Sequence, residues 1–204
     1  MPPFCAYCKV FLAHDTVLCL ACVARIRPVL TKQIPITKKY TLTVHALGVY
    51  KDPLTTLIIA KSWSDISAAR QLGQLLASSS AVQHVEIDAL IPVPLHWWRE
   101  ARRGYNQAEV IAQAIAQSRK CPVLTPIKRI TYRPFQAQVP FAHRAANVAD
   151  SFKLSGSDLA WYRNKHLVII DDVLTSGATL EAMARELIKL KPASIRALVA
   201  ARAL

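Results

Sequence analysis

The chain has 204 residues and 52% hydrophobic content, enough to bury the core of one domain with a small appendage. No apolar run approaches the ~18 residues of a membrane span, and Cys5 and Cys8 near the start do not suit a signal peptide, so the cytoplasm and no membrane insertion are expected. The net charge of +13, from 26 basic and 13 acidic residues, favours a polyanionic partner, although a basic protein without one carries the same balance.

In chain order, Cys5-Ala6-Tyr7-Cys8 and Cys19-Leu20-Ala21-Cys22 come first, two C-x-x-C pairs with ten residues between them. A pair at this spacing turns two thiolates onto one ion, and two pairs complete the tetrahedral shell that Zn²⁺ prefers. Two disulfides or four free thiols are the alternatives, and disulfides do not suit a cytosolic chain. Protein fills all four positions, so a structural zinc is expected rather than a catalytic one. Residues 1–30 are read as this zinc-ribbon-like module, with metal binding supplying much of its folding free energy. Residues 31–204 form the main domain.

Residues 24–39 are basic and interrupted by Pro28 and Pro35, which reads as a short helix and then a linker. Residues 40–50 alternate polar and apolar as a strand does. Asp52-Pro53 opens a helix carrying Leu54, Leu57, Ile58 and then Lys61. A second helix is expected over residues 64–79, with Leu72, Leu75 and Leu76 toward the core.

Residues 87–94 read as a buried strand. A basic loop follows, with Trp97, Trp98, Arg99, Arg102, Arg103 and Tyr105. Asn106 and Glu109 have capping-box spacing for a helix over 107–118. Arginines between a strand and a helix suit phosphate oxygens, which guanidinium grips in bidentate fashion. Trp97 and Trp98 can stack on bases while Arg99 and Arg102 contact phosphates, which makes single-stranded DNA a candidate partner, with the module and the linker adding basic faces. The same aromatics tucked into the core are the alternative. Residues 121–131 read as a strand with Cys121 a buried thiol, residues 131–140 as an irregular lid, residues 142–148 as a short helix bearing Arg144, and residues 194–201 as a closing strand.

The most informative stretch is Val168-Ile169-Ile170-Asp171-Asp172-Val173-Leu174-Thr175-Ser176-Gly177-Ala178-Thr179-Leu180. Its β-branched run predicts a buried parallel strand ended by two carboxylates, and a helix is expected from Leu180 to about Leu190. A helix N-terminus with free N–H groups suits a phosphate. Gly177 lets backbone approach the anion, and Thr175, Ser176 and Thr179 add hydroxyls, with Ala178 between them. Two carboxylates repel that same phosphate, so Asp171 and Asp172 suit a neutral, hydroxyl-rich group beside it. A ribose 5-phosphate meets both demands. Acid pairs after an apolar strand also occur in response regulators and nucleotide hydrolases; the Thr-Ser-Gly-Ala-Thr tail separates this one from them.

That stretch resembles the phosphoribosyl pyrophosphate (PRPP) motif of type I phosphoribosyltransferases. With the paired cysteines, Lys61, Arg102-Arg103-Gly104-Tyr105-Asn106-Gln107, Arg129, Gln136, Arg144, Asn147 and Phe152 in this order, the chain is similar over nearly its whole length to the ComF/GntX family of competence-associated proteins. The resemblance implies a type I phosphoribosyltransferase α/β fold, a mostly parallel sheet flanked by helices with a hood over residues 131–148. It further implies that Asp171 and Asp172 hold the ribose hydroxyls, that residues 175–179 hold the 5-phosphate, that Arg103 serves the pyrophosphate, and that Lys61 and Arg144 also bind PRPP. Mg²⁺ would accompany PRPP. Two functions are open: a protein of natural transformation that binds PRPP and single-stranded DNA, with DNA-uptake proteins as partners, or a working transferase of ribose 5-phosphate to an acceptor.

Overall fold

The computed structural model describes residues 4–14, 16–60, 66–95, 101, 104–130 and 151–204. Its elements are α1 (Leu20–Val23), β1 (Lys32–Pro35), β2 (Thr41–Val49), α2 (Leu54–Ala60), α3 (Ile66–Ser78), α4 (Ser80–Gln83), β3 (Ala89–Pro92), α5 (Gln107–Arg119), β4 (Ile127–Arg129), β5 (Phe152–Leu154), β6 (His166–Leu174), α6 (Ala178–Leu187) and β7 (Ser194–Arg202). Short 3₁₀ turns at Leu159–Tyr162 and Ile188–Leu190 complete them.

Five strands form one sheet in the order β1-β2-β7-β6-β3, and β4 and β5 form a separate antiparallel ribbon. All pairings in the large sheet are parallel except β1 with β2. The central strands are buried on both faces, so they read as continuous apolar runs. Alternate residues serve opposite layers. Ile91, Leu167, Ile169, Ala197 and Val199 pack with Leu180, Met183 and Leu187 of α6. Leu90, Val168, Ile170 and Leu198 pack with α2, α3 and α5 through Leu57, Leu72, Leu76, Ile111 and Ile115. The α3–α5 crossing is close: a Cβ on Gly73 would stand 2.6 Å from the Ala114 Cβ and 2.7 Å from the Ile111 carbonyl oxygen.

A side chain just ahead of each of α2 and α5 caps its first turn. Asp52 Oδ1 accepts from the Thr56 N–H at 3.3 Å and from its hydroxyl at 2.9 Å, ahead of α2. Asn106 Oδ1 accepts from the Ala108 N–H at 3.0 Å, and its Nδ2 donates to the Val93 carbonyl at 3.1 Å, so the cap of α5 is fastened to the end of β3.

Several local expectations change. The supposed linker contains β1, an edge strand that tolerates Pro35 because an edge has an unpaired side. The expected strand at 121–131 is one bridge at Val123 followed by the three residues of β4. Cys121 is half-buried rather than fully enclosed, and burial pushes its thiol up from the ordinary value despite nearby Arg119. The one-turn helix α1 spans Leu20–Val23 and includes Cys22, rather than beginning at Ala24. β6 does not stop at the acid pair but runs on to Leu174.

Candidate functional site

β3 and β6 are neighbours, yet the helices that follow them lie on opposite faces of the sheet. Chains leaving two adjacent parallel strands in opposite directions open a crevice beyond their carboxyl ends, the usual ligand position in open α/β sheets. The loop after β6 lies at that end of the strand.

Asp171 and Asp172 sit near the end of β6, both half-buried. The Asp172 N–H donates to Asp171 Oδ1 at 2.8 Å. Strict alternation is broken here. Ile170 and Val173, three apart, both pack on the α3–α5 layer, whereas Ile169 and Leu174 pack on the α6 layer. A one-residue slip in face therefore falls at the acid pair, in a strand that otherwise keeps period two.

Beyond Leu174 the chain exposes Thr175 and Ser176 and turns through Gly177 into α6. Gly177 has φ 95° and is the N-cap of that helix. Its Cα is closely approached: a Cβ there would lie 2.9 Å from Ile34 Cδ1, 3.5 Å from Leu174 Cδ1 and 3.8 Å from Lys32 Nζ. Only glycine meets both the left-handed backbone and the crowding without strain. Ser176 Oγ accepts from the Ala178 N–H at 3.3 Å, and the Gly177 carbonyl accepts from the Glu181 N–H at 2.9 Å. The first-turn acid, Glu181, is engaged by Arg185, whose Nη2 and Nε reach its Oε1 at 2.7 and 3.2 Å. The N-terminal N–H groups of a ten-residue helix thus meet two hydroxyl-bearing residues at the end of β6, which is anion-binding chemistry.

A second cluster lies at the N-terminus. Cys5, Cys8, Cys19 and Cys22 place all four Sγ atoms within 4.8 Å of one another. Cys8 Sγ and Cys19 Sγ are 3.7 Å apart. A tetrahedron with Zn–S bonds of about 2.3 Å separates its sulfurs by about 3.8 Å. The Lys9 N–H donates to the Cys5 carbonyl at 3.0 Å, and φ 61° at Lys9 turns the first pair back on itself. The Cys19 N–H donates to Cys5 Sγ at 3.4 Å. Burial works to raise the Cys5 thiol, but N–H bonds from Cys19, Cys8 and Tyr7 prevail and bring it down to about 6. Burial pushes Cys22 up to about 12, with the other three sulfurs adding to it. Four sulfurs this close cannot all ionise without a cation among them, so the donor set suits a soft divalent metal. The module is not a free appendage. Cys5, Leu12, Leu18 and Cys22 belong to the same buried layer as Leu54, Leu57, Leu72 and Leu75.

The structure therefore brings Asp171, Asp172, Thr175, Ser176, Gly177, Ala178 and Thr179 together at one strand end, and gathers the four cysteines. Lys61, Arg103, Arg144, Trp97, Trp98, Arg99 and Arg102 lie outside the described residues. One site-adjacent residue is not anticipated by the sequence reading. Lys32 Nζ donates to the Ser176 carbonyl at 3.1 Å. The pattern Lys32-x-Ile34-x-Ile36 is the available signal, since residues two apart on a strand share a face.

A family model described as the phosphoribosyl transferase domain matches residues 80–204. Competence protein F of Haemophilus influenzae is 29% identical over 98% of this chain and 85% of its own length. The DNA utilization protein YhgH of Salmonella typhimurium is 26% identical over 94% of this chain and 81% of its own. Both agree with the ComF/GntX resemblance. Among solved structures, a glutamine PRPP amidotransferase from B. subtilis is similar at 19% identity and a TM-score of 0.45, over 66% of this chain and 26% of that longer one.

Proposed function

Because this chain belongs to the phosphoribosyl transferase domain family, we propose that it is a ComF-like protein of natural transformation that binds Mg-PRPP and single-stranded DNA on the cytoplasmic side. The observation that carries the PRPP half is the succession of an acid pair and a Gly177-centred helix N-terminus within one strand–helix turn. The N–H groups of α6 and the hydroxyls of Thr175, Ser176 and Thr179 bind the 5-phosphate. Asp171 and Asp172, near the carboxyl end of β6, accept from the ribose hydroxyls. Lys61, Arg103 and Arg144 complete the pyrophosphate side.

Mg²⁺ takes oxygen ligands and is commonly held by one or two carboxylates plus substrate phosphates, a donor set that two half-exposed aspartates beside a phosphate loop fit. When bound with PRPP it would neutralise charge on the pyrophosphate. The cysteine cluster holds a structural Zn²⁺: four sulfur donors leave no open coordination position. The DNA half draws on the net charge of +13 and on the tryptophan–arginine loop, and on similarity to proteins named for competence and DNA utilization. DNA-uptake proteins are the corresponding partners.

The acid pair followed by the whole Thr175–Thr179 loop also favours a second reading, transfer of ribose 5-phosphate from PRPP to an acceptor with release of pyrophosphate. Calorimetry with Mg-PRPP tests the common element. Saturable binding, much weakened in Asp171→Ala with Asp172→Ala, is the expected result. Unchanged or tighter binding in that variant would reject the roles given to the acids, since mere repulsion of phosphate would be relieved by their removal. Pyrophosphate release with candidate acceptors then separates the transferase from the binding protein.

A further inference from the structure

We propose that Lys32 is a positioning residue of the phosphate loop, fixing its Ser176 carbonyl while placing a cation beside the bound 5-phosphate. This rests on the PRPP reading of the same loop. β1 is an edge strand, and Lys32 and Ile34 project from it on one face toward the turn between β6 and α6. The Ile34 methyl occupies the space a side chain on Gly177 would need, and Lys32 Nζ lies 3.1 Å from the Ser176 carbonyl oxygen. That bond uses one of three ammonium N–H groups and leaves two for a second acceptor.

Two neighbouring contacts hold the segment in place. Arg202 Nη1 donates to the Leu30 carbonyl at 3.2 Å, and Arg202 is the β7 partner of Leu174, the last residue before the loop. Arg185 Nη1 donates to the Ile36 carbonyl at 3.3 Å from α6. Residues 30–36 are thus fastened on both sides of the loop, and Lys32 sits between the fastenings. Arg185 is already matched by Glu181. Lys32 Nζ bonds only a neutral carbonyl here, so its charge remains available to a ligand at this end of the helix. An ammonium there reinforces the positive N-terminus toward a dianionic phosphate.

The test compares wild type, Lys32→Met and Lys32→Arg by calorimetry with two probes, ribose 5-phosphate and magnesium pyrophosphate. Lys32→Met should weaken ribose 5-phosphate about tenfold or more. It should leave pyrophosphate unchanged, and Lys32→Arg should recover most of the loss. A lysine that only braced the fold would lower affinity for both probes together, and that pattern would overturn the proposal, as would wild-type affinity in Lys32→Met. Wild type that binds neither probe would instead remove the PRPP reading, and the role of Lys32 with it.

Discussion

Ile34 Cδ1 stands 2.9 Å from where a Cβ on Gly177 would begin, so an edge strand 143 positions earlier in the chain (177 minus 34) fixes the identity of the loop's glycine. Gly177→Ala has to accommodate both that contact and φ 95°. A cost of about 1–3 kcal/mol is expected from strain and overpacking. Urea unfolding reads the stability, and ribose 5-phosphate affinity should fall as the loop shifts. A variant as stable as wild type with unchanged affinity would show that the loop does not need this backbone.

Metal removal should reach beyond the N-terminal module. Cys5 and Cys22 are in one buried layer with Leu54, Leu57 and Leu72, so loosening them opens the surface of α2 and α3. Cys8→Ser removes one of the four clustered sulfurs proposed to hold zinc and should leave protein with little or no zinc. A fall in melting temperature of the main transition, measured against wild type with and without a strong chelator, is expected. Elemental analysis checks the premise: folded wild-type protein containing no metal would overturn the assignment.

The strand and the Gly177 turn that follows it are legible in the amino-acid sequence because their signals are local. The Val168–Ile170 run, the two acids and the Gly177 turn speak through period, charge and backbone freedom, and each depends on neighbours in sequence. The caps at Asp52 and Asn106 are local in the same way. β1 is not legible, because Pro35 and the surrounding lysines describe a linker equally well, and only pairing with β2 decides the matter. The continuation of β6 past the acids is hidden for a similar reason. Asp171 and Val173 are paired in register with Val199 and Ala201, and such support from β7 outweighs the weak strand propensity of aspartate. The loss of a strand at residues 121–126 is the converse case, an apolar run to which the sheet gives only one bridge.

His45 lies half-buried on β2, and its Nε2 has no hydrogen-bond partner. Burial lowers its pKa below the ordinary 6.5, with Arg196 adding repulsion. Below pH 6.5 the unfolded chain binds the proton more readily than the folded one. The His45 contribution is therefore fully present above that value, declines as pH falls toward the folded pKa, and is flat below it. His45→Leu should remove this part of the slope and lose little stability at neutral pH, since an unpaired buried nitrogen is exchanged for carbon. Urea titrations at pH 7.5 and pH 5 on both proteins, about one pH unit or more to either side of the ordinary histidine pKa, give the comparison. Identical pH dependence in the two would contradict the assignment.

Single-stranded DNA binding gives the last prediction, and its terms separate by salt. The net charge of +13 provides long-range attraction, and each phosphate neutralised releases counterions, so affinity should fall as salt rises. Arg99→Ala with Arg102→Ala would remove two proposed phosphate contacts and should flatten that dependence. Trp97→Ala and Trp98→Ala remove stacking platforms instead, worth ~1–3 kcal/mol per base, and should lower affinity at every salt concentration without changing the slope. Stacking on any base predicts weak sequence preference and a bias to single strands over duplex. Fluorescence titration with oligonucleotides reads both parameters. Tryptophan emission unmoved at saturation, together with tryptophan variants that lose stability but not affinity, would assign both rings to the core and leave the arginines as the only DNA contacts of this loop.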